Sequence, residues 1–111
     1  MGGGPRGSPA APRLTVRLHV EPTADSEIIE AFEWYRARSR LVARTFLETI
    51  DGTLAQIRES PELFPLVHKE LRRALVPRFP YAVFFTAESD RIRVVGVVHG
   101  KRHPRRWQRR S

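Results

Sequence analysis

Two consecutive helical stripes constrain this chain more than any other feature. Ile28, Phe32 and Tyr35 fall at spacings of four and three, on one face of a helix. A few residues on, Val42, Phe46, Ile50, Leu54 and Ile57 recur at four, four, four and three, with Ala43 and Leu47 widening the stripe. The spacing predicts helices over residues 24–38 and 40–59. Thr23, Asp25 and Ser26 are cap candidates for the first and Ser39 for the second, and Ser60-Pro61 ends the second. Glu27, Glu30 and Glu33 come early in the first helix and Arg36, Arg38 and Arg40 late, which suits the helix dipole at both ends. Gly52 lies inside the second helix at a cost of about 1 kcal/mol relative to alanine, which predicts close packing against the first. So short a link folds the two into an antiparallel hairpin, and two apolar stripes then need a sheet face to cover.

Strand signals flank the hairpin. Leu14, Val16, Leu18 and Val20 alternate with Thr15, Arg17 and His19, the period of a half-buried strand, with His19 on its polar side. Residues 60–69 hold Pro61, Leu63, Phe64, Pro65 and Val67 and read as an ordered loop anchored by apolar side chains. Leu71 to Val76, Tyr81 to Ala87 and Arg91 to Val98 read as three more strands. The turn Glu88-Ser89-Asp90 makes the last two an antiparallel hairpin. The Val94–Val98 run does not alternate, which predicts a central strand covered on both faces. The expected fold is α+β, ordered β-α-α-β-β-β, with a helical hairpin on a mostly antiparallel four-stranded sheet. The 111 residues suit one such domain over residues 13–100, between a flexible Gly/Pro/Ala-rich leader at 1–12 and a basic C-terminal tail at 101–111.

Charge is concentrated at one end. The net charge is +8, and Lys101, Arg102, Arg105, Arg106, Arg109 and Arg110 supply six positive charges with no acid among them. Such a run binds phosphate by counterion release, or an acidic protein surface. Trp107 within it either packs back on the domain or offers a stacking face. The bland alternative is a solvated, frayed end. The chain has no cysteine, which excludes a disulfide framework and a thiolate metal site. His19, His68, His99 and His103 lack metal-ligand spacing, and no phosphate loop or nucleophile elbow occurs. No cofactor or metal is expected.

What remains is a basic and aromatic set: Arg72, Arg73, Arg78, Tyr81, His99, Lys101, Arg102 and Trp107. Arginines that hold a scissile phosphate, with a histidine or tyrosine to move a proton, support metal-free RNA cleavage. Spacing alone favours the blander assignment, with Arg72 and Arg73 as strand-edge charges that discourage sheet-to-sheet pairing, Tyr81 at the core or rim and the tail as a docking arm.

The stretch Arg72-Arg73-Ala-Leu-Val-Pro-Arg78-Phe79-Pro80-Tyr81-Ala-Val-Phe-Phe resembles the middle of the RelE/ParE toxin superfamily. The ending from Ile92 through His99-Gly100-Lys101-Arg102 to Trp107 resembles it too, as do Glu33-Trp34-Tyr35 and Ser60-Pro61-Glu62-Leu63-Phe64-Pro65. The likeness spans about residues 14–107. It implies the toxin of a type II toxin–antitoxin module: a small, basic, cytoplasmic bacterial protein that inhibits growth and is neutralised by a cognate antitoxin wrapped around it.

The superfamily has two mechanisms. RelE-like members cut messenger RNA on the ribosome, and ParE-like members poison DNA gyrase with no known hydrolytic site. As a ribonuclease the chain would use Arg72, Arg73, Tyr81, His99 and Arg102. Tyr81 stands where the RelE-type pattern has an arginine, so a donor to the transition-state phosphate is missing, a loss of about 10²–10³ in rate. Phe-Pro-Tyr and His-Gly-x-Arg also look more like ParE-type sequences. The ParE-like branch is favoured, with Lys101, Arg102, Arg105, Arg106 and Trp107 as the target-binding residues. On this reading, truncation after Gly100 abolishes toxicity and leaves the fold largely intact. A non-toxic nucleic-acid-binding module built on the basic tail is the reading from another class.

Overall fold

The computed structural model describes residues 16–100. The leader at 1–12, the strand start at Leu14 and the tail at 101–111 lie outside the described residues. Strand β1 (Arg17–Val20) leads straight into helix α1 (Pro22–Arg36). The helix begins two residues before the expected start, and no side chain caps it. Pro22 occupies its first turn, where a missing N–H costs nothing and a fixed φ suits the helix. The proline that ends the strand therefore also starts the helix.

The hairpin link follows from local chemistry. The Tyr35 carbonyl accepts the N–H groups of Arg38 and Ser39 at 2.9 and 2.8 Å, which closes α1. The Ser39 hydroxyl then accepts the Val42 N–H at 3.2 Å and opens helix α2 (Arg40–Glu59), with the bounds that the sequence predicts. Phe46, Ile50 and Ile57 are buried as expected, whereas Leu47 at the edge of the stripe is exposed. The close packing expected at Gly52 is absent: a Cβ there would meet nothing within 4 Å. That glycine lies on the exposed side of α2.

A 3-10 turn (Pro61–Leu63) leads to strand β2 (Leu66–His68), then β3 (Leu71–Leu75), β4 (Tyr81–Ala87) and β5 (Arg91–His99). The sheet has five strands rather than four. The extra one is β2, a three-residue edge strand inside the segment expected to be a loop. It is too short to show a period, and its Leu66 is exposed. The order is β1-β5-β4-β3-β2, with β1 parallel to β5 and the remaining neighbours antiparallel. The central strand expected from Val94–Val98 is β5.

Register explains why that run does not alternate. Phe84 pairs with Gly96 and Phe85 with Val94, so Val95 is an extra residue and β5 bulges there. Beyond the bulge β5 outruns β1, whose last pair is Val20 with Val94. The backbone of β5 then faces α1 instead of a strand, and the Glu27 carboxylate accepts the Val97 N–H at 2.8 Å. Ala24, Glu27 and Ala31 are the buried residues of α1.

Two apolar clusters result. The larger lies between the helices and the sheet and includes Phe46, Ile50, Ile57, Val83, Phe85 and Val94. The smaller comprises Leu71, Ala82, Phe84, Val95 and Val98, on the sheet face turned away from the helices.

Candidate target-binding site

Strand period divides the residues that the sequence groups together. Arg72 pairs with Phe85 and Arg73 with Phe84, so the two arginines emerge on opposite faces of β3. Arg72 faces the helix side, where its guanidinium donates to the Phe64 carbonyl and Phe64 stacks edge-on against Phe85 at 5.8 Å. Its visible role is to pin the 3-10 turn to the sheet.

Tyr81 and His99 are brought together. They are partners across β4 and β5, with ring centroids 5.2 Å apart and nearly perpendicular. Tyr81 also packs on Phe46 at 5.6 Å, inside an aromatic group that includes Tyr35 and Phe79. Tyr81 is thus a rim residue of the core as well as a neighbour of His99. The level of Arg72 on the sheet is four residues along β4 from this pair, about 13 Å at strand rise. A phosphate held at Arg72 would therefore sit far from the pair able to move a proton.

The end of the sheet that carries Tyr81 and His99 is also where the chain leaves for the basic segment. The Gly100 N–H donates to the Pro80 carbonyl at 2.9 Å, which ties the exit to the β3–β4 turn. Arg78 in that turn is exposed and takes a left-handed backbone, φ 68°. Lys101, Arg102, Arg105, Arg106 and Trp107 lie outside the described residues, but they begin at this fixed point. Arg78, His99 and the start of the basic run therefore share one end of the domain.

Elsewhere on the sheet, charge is compensated. Arg93 donates to both Glu21 and Glu88, and Arg91 donates to Glu88 at 3.1 Å. Hydrogen bonds from Arg93 and then Arg91 hold the Glu88 carboxyl below the usual glutamate range, and the bonds that Arg93 makes to Glu88 and then Glu21 raise its guanidinium. A carboxyl with a lowered folded-state value stabilises the fold fully above its unfolded value. That contribution disappears as pH falls through the folded value. Glu88→Gln is therefore expected to flatten the loss of stability below about pH 4.5, read from urea midpoints between pH 3 and 7. Above that range it removes a small, salt-sensitive contribution.

Two features escape the sequence reading. Glu27 looks like a surface residue that favours the helix dipole, although its spacing with Ala24 and Ala31 places it on the buried face. Arg38 closes over the Trp34 ring at 3.6 Å, beside the exposed Leu41 and Val42 at the hairpin tip. Among the described residues no three His, Asp or Glu side chains converge as a metal site, and no helix is long and apolar enough to cross a membrane.

The architecture is a helical hairpin laid on a five-stranded sheet whose last strand ends at the β3–β4 turn. A solved structure described as the chromosomal ParDE TA system from P. aeruginosa has this fold, with a TM-score of 0.69. The match covers 77% of this chain and 96% of that one at 12% identity, so the likeness is one of fold. No curated protein sequence matches at a significant level. The sequence model of the ParE toxin of the type II toxin–antitoxin system, parDE, matches residues 18–104, and the chain belongs to that family. It is a toxin of a type II toxin–antitoxin system, and an antitoxin is its implied partner.

Proposed function

We propose that this toxin arrests bacterial growth by binding DNA gyrase in the cytoplasm through the end of the sheet that carries Arg78 and the basic run. Lys101, Arg102, Arg105, Arg106 and Trp107 make the contact. The observation that carries the reading is the Gly100–Pro80 hydrogen bond, which starts the cationic run from a rigid strand end rather than a tether. A cationic cluster at one end of a domain steers association with an acidic surface. Tyr81 is then a packing residue, and no hydrolysis is required.

The antitoxin belongs on the helical hairpin and the sheet edge, where it masks part of the basic surface. Ile29, Trp34, Leu41 and Val42 leave apolar surface exposed on the helical hairpin, next to Arg38 and Arg40. An acidic amphipathic segment suits that face. Co-expression with the adjacent gene should give a complex that survives gel filtration at micromolar concentration and relieves growth arrest.

The RelE-like ribonuclease is the second reading, and the Tyr81–His99 contact is what favours it. Cells settle the choice. Induction should arrest growth with a DNA-damage response and intact transcripts. Replacing Lys101, Arg102, Arg105 and Arg106 together by glutamine should abolish the arrest, whereas Tyr81→Phe should leave it nearly unchanged. Rapid cleavage of ribosome-bound messages, lost in Tyr81→Phe, would establish the nuclease instead.

A further inference from the structure

The turn between β3 and β4 holds an arginine where a glycine would fit without strain. The Phe79 N–H donates to the Val76 carbonyl at 3.4 Å, so residues 76–79 form a hydrogen-bonded β-turn. Pro77 is its second residue, and the ring fixes φ at about −65°. Arg78 is the third, with φ 68°. That combination is a type II turn, whose third position calls for glycine or asparagine. In the left-handed region the Cβ of any larger residue crowds the following carbonyl oxygen. Among the described residues, Lys69 in the β2–β3 turn is the other non-glycine residue with a positive φ.

Packing holds the strained turn in place. The Phe79 ring lies 5.2 Å from both Tyr35 and Phe46, edge-on to each. Beside the turn, the Val76 N–H donates to the Tyr81 carbonyl at 3.0 Å, and the Pro80 carbonyl accepts the Gly100 N–H at 2.9 Å. These contacts determine the backbone without the Arg78 side chain, which is exposed. The ion pairs among the described residues are made by Arg36, Arg91 and Arg93, not by Arg78. Residues 76–80 contain no acid to neutralise it. The fold therefore gains nothing from an arginine at this position and bears the strain of holding one. Exposed strain of this kind gathers where a side chain has work outside the fold.

We propose that Arg78 is itself a target contact, its guanidinium docking on a carboxylate of the acidic gyrase surface, and that the Phe79 anchor fixes the backbone that presents it. The inference rests on the gyrase reading and uses no residue beyond Gly100. A guanidinium meets a carboxylate through two parallel N–H donors, which adds direction to charge. A side chain carried on an already fixed backbone has less freedom to lose on binding.

Three variants of the full chain test it against purified gyrase. Arg78→Gly removes the guanidinium and the strain together. Its Tm should hold or rise by up to roughly 5 °C, while the toxin concentration that half-inhibits supercoiling should rise at least roughly tenfold. Arg78→Gln keeps the strain, so it should lose as much inhibition with no gain in Tm. Lys69→Gly is the control, because it relieves the same strain under a cation at the opposite end of β3. It should inhibit as the parent chain does. Inhibition by Arg78→Gly equal to the parent would overturn the proposal and leave the gyrase reading standing. A lowered Tm in Arg78→Gly, with inhibition lost in proportion, would also overturn it, by making Arg78 a structural residue. A parent chain that does not inhibit gyrase would overturn the gyrase reading and this proposal together.

Discussion

Phe46→Ala is expected to lower the unfolding free energy by about 3–5 kcal/mol, the range for deleting a fully buried phenylalanine. Phe46 is 0% exposed and lies where helix α2 meets the sheet. Its ring is 5.3 Å from Tyr35, 5.2 Å from Phe79 and 5.6 Å from Tyr81. Truncation removes three aromatic contacts at once and leaves a cavity bounded by both helices and β4. A domain of this size has about 5–15 kcal/mol of stability in all, so the loss takes most of the margin at the low end of that range. Urea unfolding measures the loss, and a change below 1 kcal/mol would mean that the aromatic group is not the keystone of the core.

The second large effect is expected at a polar residue. Glu27 is 8% exposed, and its carboxylate accepts the Val97 N–H at 2.8 Å where β5 has outrun β1. Glu27→Ala removes the acceptor and leaves a buried amide without it, a loss of about 2–3 kcal/mol for a bond to a charged group. Glu27→Gln keeps an acceptor oxygen and should lose less than half as much. The site-specific reading is the exchange rate of the Val97 amide, which should rise more than those of its neighbours in β5. Uniform acceleration along the strand would instead mean that Glu27 acts by general packing.

What the sequence reveals tracks how local each cause is. Both bounds of α2 are legible because Ser39 and Ser60-Pro61 act on the chain beside them. The β4–β5 hairpin is legible because three polar residues separate two runs of strand formers. Strand β2 is not, since three residues beside a proline carry no period and their order comes from pairing with β3. The bulge at Val95 is hidden in a uniform valine run, because only the register with β4 reveals it. Glu27 depends on the same non-local fact, the early end of β1.

The candidate site shows the same divide. Adjacent residues in a strand point to opposite faces, so the separation of Arg72 from Arg73 follows from strand period alone. The contact between Tyr81 and His99 requires the hairpin register. The tie between Gly100 and Pro80 requires the turn before β4 as well, and it fixes where β5 ends beside that turn.

The central claim is action on gyrase through that end of the sheet, and a supercoiling assay with purified components tests it most directly. Purified toxin added to gyrase, relaxed plasmid and ATP should inhibit supercoiling and trap cleaved DNA, at concentrations that rise with salt. The variant with Lys101, Arg102, Arg105 and Arg106 replaced by glutamine should do neither, while Tyr81→Phe should match the parent chain. Full supercoiling activity in the presence of excess folded toxin, with messenger RNA cut on added ribosomes, would contradict the account.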